Sequence, residues 1–250
     1  MVQSNIMQDR LQELFPVHYR NGNILMINAD CMEVMKHIKE KEVELSCVDP
    51  PYGIGASEKN STDKKQCKHS ATQSKNYGDQ KWDDNIPDNT YFDELKRVSK
   101  NQIIWGANYY GMNGGMLFWD KQVTMPTYSQ GELAWLSFQN KIDYVKIAWH
   151  GMIQENMANK EQRIHPTQKP VALYKWLLSR YAKPGDRILD THGGSGSICI
   201  ACHDLGYDLT WMELDEDYYN AACKRYKEHA AQQVLFEPKE IRQPVQGELL

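Results

Sequence analysis

The 250-residue sequence lacks several features, and each absence narrows what the chain can be. No apolar run approaches the ~18 residues that a membrane-spanning helix needs. The opening residues MVQSNIMQDR carry no hydrophobic signal-peptide core, so a cytoplasmic protein with no membrane role is expected. There is no basic excess: 29 Lys and Arg face 33 Asp and Glu, a net charge of -4, and any surface that binds a polyanion must be local. The six cysteines mostly lie inside apolar segments, which fits reduced thiols. Cys199 and Cys202 fall at i and i+3 of a predicted helix and read as buried small residues. Cys67-Lys68-His69 has no second pair at zinc spacing, so no structural metal is expected. Internal repeats are absent, and so is the G-x-G-x-x-G fingerprint of a dinucleotide-binding dehydrogenase.

What is present has the length and pattern of one α/β domain spanning 1–250. Ile24–Asn28 reads as a buried strand, Met32–Lys39 as a helix and Glu44–Val48 as a second strand, which makes a βαβ beginning. Residues 56–89 turn polar and rich in Lys, Ser, Thr and Asn, as in a mobile functional loop. Tyr91–Ser99 looks helical; Gln102–Trp105, Gly115–Trp119 and Glu132–Phe138 look like strands. After Pro170 the chain returns to α/β alternation: helix Val171–Tyr181, strand Arg187–Leu189, helix Ser197–Leu205, strand Asp208–Glu213 and helix Asp217–Ala230. The aromatics Trp105, Tyr109, Tyr110, Trp119, Trp135 and Trp149 read mainly as core.

Two short stretches carry chemistry. In VDPPYGIG, from Val48 to Gly55, a strand ends in Asp49 followed by Pro50 and Pro51, which cannot donate to a ladder, and then Tyr52. The result is a rigid corner rich in hydrogen-bond acceptors. In ILDTHGGSGS, from Ile188 to Ser197, Asp190 ends a strand before the glycine turn Gly193, Gly194, Ser195 and Gly196 that opens a helix. The next strand ends at Glu213, 23 positions after Asp190, close to the ~20-residue offset at which an acid meets ribose hydroxyls in nucleotide-binding α/β folds. Together these point to a nucleoside-containing cofactor.

With IIWGANYY (103–110) and HPTQKP (165–170), these stretches make the chain resemble the amino-methylating DNA methyltransferases, which use S-adenosylmethionine. The DPPY motif comes first and the glycine loop last, similar to the permuted β-class order of that family and to its small phage-encoded members. The resemblance implies a Rossmann-like methyltransferase fold, a mixed sheet flanked by helices, over about Ile24 to Tyr226. It implies that Asp49 and the Pro50 carbonyl accept hydrogen bonds from the target amine, with Pro51 completing the corner and Tyr52 stacking on the extruded base. It implies a cofactor site of Asp30 and Cys31, Asp49, Asp190, His192, the 193–196 turn, and Glu213 with Leu214; Thr167 and Lys169 would close over the cofactor carboxylate. Asp30 also reads as a helix N-cap, and one carboxylate can serve both purposes. Thr191 and His192 depart from the family's commoner DPF; His192 fits packing or loop capping better than proton transfer.

Base flipping from duplex DNA requires a grip on the backbone. The basic residues Lys59, Lys64, Lys65, Lys68, Lys75 and Lys81 lie in the polar loop and could clamp phosphates. Base recognition is left to this loop and to a short region at 121–165, and the resemblance implies dimers in many members. In the polar tail, 231–250, Gln232-Gln233-Val234-Leu235-Phe236 either packs back on the domain, the reading we favour, or docks a sliding clamp, whose peptide ligands it resembles. DPPY favours N6 of adenine over N4 of cytosine, whose enzymes more often carry SPPY. The other class left open is a catalytically retired DNA- or cofactor-binding module; loss of Asp49, Tyr52 or the glycine loop would have favoured it, and all are present. If the loop clamps phosphates, neutralising Lys64, Lys65 and Lys68 together will flatten the slope of log affinity for DNA against log salt by roughly 0.9 for each phosphate left without its lysine, with cofactor affinity unchanged. An unchanged slope contradicts the clamp.

Overall fold

The computed structural model describes residues 5–55, 83–124, 129–150 and 153–232. The six loop lysines and the segment Gln233 to Phe236 lie outside the described residues. Strands form where short aliphatic runs are buried on both faces. In β2 (Ile24–Asn28) the side chains of Ile24 and Met26 enter one core, and those of Leu25 and Ile27 enter another on the opposite face. Such strands belong inside a parallel sheet covered by helices. The others are β1 (His18–Asn21), β3 (Val43–Val48), β4 (Ser99–Trp105), β5 (Gly115–Asp120), β6 (Gly131–Leu136), β7 (Ile142–Lys146), β10 (Arg187–Asp190) and β11 (Asp208–Glu213); β8 (Trp149–His150) and β9 (Ile153–Gln154) form a separate small ribbon.

Among the described residues the main sheet runs β1-β2-β11-β10-β3-β4-β6-β5-β7. The five central strands from β2 to β4 are parallel to one another. β1 is antiparallel to β2, and β6 is antiparallel to both β4 and β5, which gives the mixed sheet of a Rossmann-like methyltransferase fold. Helices α1 (Ile6–Leu14), α2 (Cys31–Met35) and α3 (Asn89–Val98) cover one face; α4 (Val171–Tyr181), α5 (Ser197–Leu205) and α6 (Glu216–Ala230) cover the other. Cys199 and Cys202 are buried in α5. Among the described residues no helix is long and apolar enough to cross a membrane.

The connectivity places the ligand crevice. β3 leads outward to β4 on one side, while β10 leads to β11 on the other, so the chain winds off in opposite directions from two neighbouring strands. Open α/β sheets bind ligands at such a switch point, beyond the carboxyl ends of the strands. Here those ends deliver Asp49, Asp190 and Glu213, with Asp30 just past β2.

Four features differ from the sequence reading. α2 stops at Met35, short of Lys39, because His37 and Ile38 bond only three residues back, to the Val34 and Met35 carbonyls, and the coil tightens. α1 was not anticipated; Met7 and Leu11 bury one face, and the buried Gln8 donates to the Asn23 and Leu209 carbonyls. The edge strands β1 and β7 were likewise unread. Finally, β6 is sheet interior between β4 and β5, so part of the 121–165 region expected to read DNA belongs to the central scaffold.

The glycine turn is fitted to a buried indole. A Cβ on Gly193 would lie 1.8 Å from Cε2 of Trp211, which is fully buried, while Gly193 N–H is already bonded to the Met212 carbonyl at 2.8 Å. Gly193→Ala will therefore lower stability by about 1–3 kcal/mol, the usual cost of overpacking. Equilibrium urea unfolding checks this, and a stability loss near zero contradicts the close packing.

Candidate active site

Asp49 sits at the carboxyl end of β3, and its carboxylate is held from two sides. Its Oδ1 accepts the Tyr52 hydroxyl at 2.6 Å, and its Oδ2 pairs with Lys169 Nζ at 2.5 Å. Lys169 comes from the loop before α4, with a side chain only 2% exposed, and also pairs with Glu132 Oε2 at 3.0 Å. Glu132 stands on β6 and carries a second cation, Lys121. Two largely buried carboxylates share one fully buried ammonium here. Burial raises the Asp49 carboxyl, and the nearby Glu132 charge adds to this against the pull of Lys169. Burial also acts to raise Glu132, yet Lys169 and Lys121 outweigh it and hold this carboxyl down at about 2. Burial works against the charge on Lys169, but Asp49 and Glu132 more than compensate and its ammonium is stabilised.

This cluster lies between two cavities. The first, of about 480 Å³, is lined by Asp49, Pro50, Pro51, Tyr52, Asp83, Gly106, Tyr109, Phe118, Lys121, Glu132 and Lys169, among others. Its wall is aromatic: Tyr109 stacks on Tyr52 with centroids 4.9 Å apart and ring planes 18° from parallel. Tyr109 is 42% exposed, so it is not the core residue read from the sequence, whereas Trp105, Trp119 and Trp149 are buried. The second cavity, of about 280 Å³, is lined by Asp30, Cys31, Asp49, Thr167, Lys169, His192, Gly193, Gly194, Ser195, Glu213 and Leu214, with His165, Tyr174 and Tyr218 also present. Asp49, Pro51, Thr167 and Lys169 face both cavities.

The strand-end acids keep acceptor capacity toward the second cavity. Glu213 accepts Gly194 N–H at 2.7 Å on one oxygen and Asp215 N–H at 2.9 Å on the other, which leaves a lone pair on each. Asp30 caps α2 by accepting Met32 N–H at 2.8 Å and also lines the cavity. Asp190 is buried, accepts His192 N–H at 3.1 Å, and has its carboxyl raised by that burial. Burial lowers His192 to about 4 and His165 to about 3, so both rings are neutral near pH 7. His192 Nδ1 lies 3.0 Å from Thr191 Oγ1, and Tyr91 OH lies 2.7 Å from the same oxygen, a packing arrangement around the loop.

The structure brings together every described site residue singled out in the sequence except two. Asp190 is buried at the end of β10 and lines neither cavity. Gly196 does not line the cavity; it caps α5 with φ +67°, and its Cβ position lies 3.1 Å from Ala222 Cβ on α6. Lys169 lines the second cavity as well as the first, and its ammonium pairs with Asp49 and Glu132. Glu132, Asp83, Tyr110 and His165 were missed. His165 sits in the quoted HPTQKP run and Tyr110 in the quoted IIWGANYY run, and a lone acid inside the apolar run GELAWL marked Glu132; Asp83 carried no local signal.

A DNA methylase family model matches residues 120–224. The chain is similar to the type II methyltransferase M2.MboI of Moraxella bovis, 24% identical over 263 residues, covering 88% of this chain and 92% of that protein. It shares its fold with the crystallised M1.HpyAVI–SAM complex (TM-score 0.52, 22% identity, covering 81% of this chain and 99% of that chain). It also shares it with the cytosine-N4-specific PvuII DNA methyltransferase (TM-score 0.55, 13% identity, covering 86% and 94%). Each of these likenesses is to a DNA methyltransferase, which bears out the resemblance carried by the motifs.

Removing the shared cation leaves Asp49 without a countercharge and Glu132 with Lys121 alone. Lys169→Met will cost about 3–5 kcal/mol of folding stability, the usual penalty for breaking a buried ion pair from one side. Adding Glu132→Gln will recover part of that loss. Chemical denaturation of the two variants checks this; a single-variant loss under about 1 kcal/mol contradicts the arrangement.

Proposed function

We infer that this chain is an S-adenosylmethionine-dependent DNA methyltransferase and propose that its target is the N6 amino group of adenine, flipped out of duplex DNA. The observation that carries the reading is the position of Asp49 on the wall common to two cavities, one aromatic and one built from the glycine turn and strand-end acids. A direct transfer between two bound molecules needs such a shared wall, because the reacting atoms must lie in line across it.

The second cavity fits the cofactor chemically. Asp30, Asp49, Glu213 and Asp215 line it against the single cation Lys169, a balance that suits a ligand bearing positive charge, amines and hydroxyls. In this reading Glu213 takes the ribose hydroxyls, Asp30 with Cys31 and Leu214 takes the adenine end, and the 193–195 backbone with Thr167 faces the methionine end. When bound, the cofactor supplies an electrophilic methyl group on a sulfonium.

The chain's own part is to orient the amine. An exocyclic amino nitrogen conjugated with its ring is a poor nucleophile until acceptors draw its N–H bonds out of the conjugated plane. Asp49 and the Pro50 carbonyl are the acceptors at the corner, and Tyr52 offers a ring face next to them. The proton released by the methylated nitrogen passes to Asp49 or to water, and no prior deprotonation is required. Adenine is favoured by the DPPY start, and the retired-module reading is disfavoured by an intact corner with a cavity on each side.

Asp49→Ala will abolish methyl transfer to DNA while calorimetric affinity for S-adenosylmethionine stays within a few fold, because the carboxylate orients the amine and other groups hold the cofactor. Turnover near the wild-type value in the purified variant rules the mechanism out.

A further inference from the structure

The corner 50–53 is short of ordinary backbone partners. β3 ends at Val48, and neither proline has an N–H. The carbonyls of Pro50 and Pro51 and the N–H groups of Tyr52 and Gly53 therefore stand outside the sheet ladder, although they form the wall on which the proposed chemistry depends. Two side chains from distant elements take them up. The Tyr110 hydroxyl, in the loop after β4, donates to the Pro50 carbonyl at 2.7 Å and the Pro51 carbonyl at 2.9 Å. From the other direction, one carboxylate oxygen of Asp83 accepts Tyr52 N–H at 2.6 Å and Gly53 N–H at 3.0 Å. The Asp83 carbonyl also accepts Gly55 N–H at 3.2 Å, and the residue is 1% exposed.

We propose that Tyr110 and Asp83 are a pair of positioning residues that clamp the corner from its carbonyl side and its amide side, setting the direction of the Pro50 acceptor and the plane of Tyr52. The proposal rests on the reading that this corner receives the target amine. Tyr110 does not line the aromatic cavity, so it acts from behind the wall. Its ring packs 5.1 Å from Phe92 and edge-on to Tyr52 at 6.3 Å, which fixes the hydroxyl. One phenolic proton shared by two carbonyls takes a single lone pair from each and leaves the other lone pair of Pro50 free for an incoming donor. Burial and the neighbouring Asp49 charge push the phenol well above its ordinary range, so it stays protonated and serves only as a donor.

The test compares Tyr110→Phe, Asp83→Ala and the conservative Asp83→Asn, whose amide oxygen can still accept both N–H groups. Tyr110→Phe and Asp83→Ala will each lower kcat by about tenfold or more, the scale expected when a reacting group is slightly misplaced. The KM for DNA and the Kd for S-adenosylmethionine will stay within about threefold, and Asp83→Asn will keep most of kcat. Amide hydrogen exchange gives a readout independent of turnover: Tyr52 and Gly53 will be protected in the wild type and will exchange faster in Asp83→Ala and Tyr110→Phe. Unchanged kcat with unchanged protection overturns the clamp, as does a kcat loss matched by equal loss of cofactor affinity and a lower Tm, the pattern of general unfolding. If the wild type transfers no methyl group, the functional reading fails, while the exchange result still decides whether the pair holds the corner.

Discussion

One buried ammonium, that of Lys169, holds the centre of the molecule together. It stands between Asp49 and Glu132, two largely buried carboxylates whose charges it offsets, and it faces both cavities. The three side chains come from a loop before α4, from the end of β3 and from β6, so their meeting requires the whole sheet order to be in place. Tyr52 adds its hydroxyl to the same cluster, 2.6 Å from Asp49 and 3.2 Å from Glu132. The corner at 49–53 is thus anchored through its side chains by charge and through its backbone by Tyr110 and Asp83.

The sheet explains why the two cavities adjoin. Parallel strands β11, β10, β3 and β4 end side by side, and the reversal of winding between β10 and β3 opens a crevice above them. Glu213 and Asp190 rise on one side of that crevice, and the aromatic loop after β4 rises on the other. Asp49 stands at the boundary because β3 is the strand at the reversal. Permutation of the motif order leaves this arrangement untouched, since what matters is which strand ends are neighbours and not which comes first in the chain.

What was legible in the sequence was local. The corner at 49–52 and the glycine turn at 193–196 announce themselves through residues whose backbone restrictions are intrinsic, proline lacking a donor and glycine permitting close approach. Long periodic helices such as α4, α5 and α6 were equally readable from their apolar spacing. The roles of Glu132, Asp83 and Tyr110 were not, because each acts on a residue 30 or more positions away, which no short window pairs with it. The role of Lys169 was read from its motif toward the cofactor alone; its pairing with Glu132 depends on β6 lying between β4 and β5, a register no short window reveals. The short α1 was overlooked because only Met7 and Leu11 mark its buried face.

The most direct test of this account is nucleoside analysis, with modified-base sequencing, of DNA from cells expressing the wild-type chain. The account predicts N6-methyladenine confined to one short sequence context and absent from cells lacking the protein. N4-methylcytosine in place of N6-methyladenine would overturn the adenine assignment. No methylated amino group at all, from a folded protein that binds S-adenosylmethionine, would contradict the central claim that the corner at Asp49 orients an amine for methyl transfer.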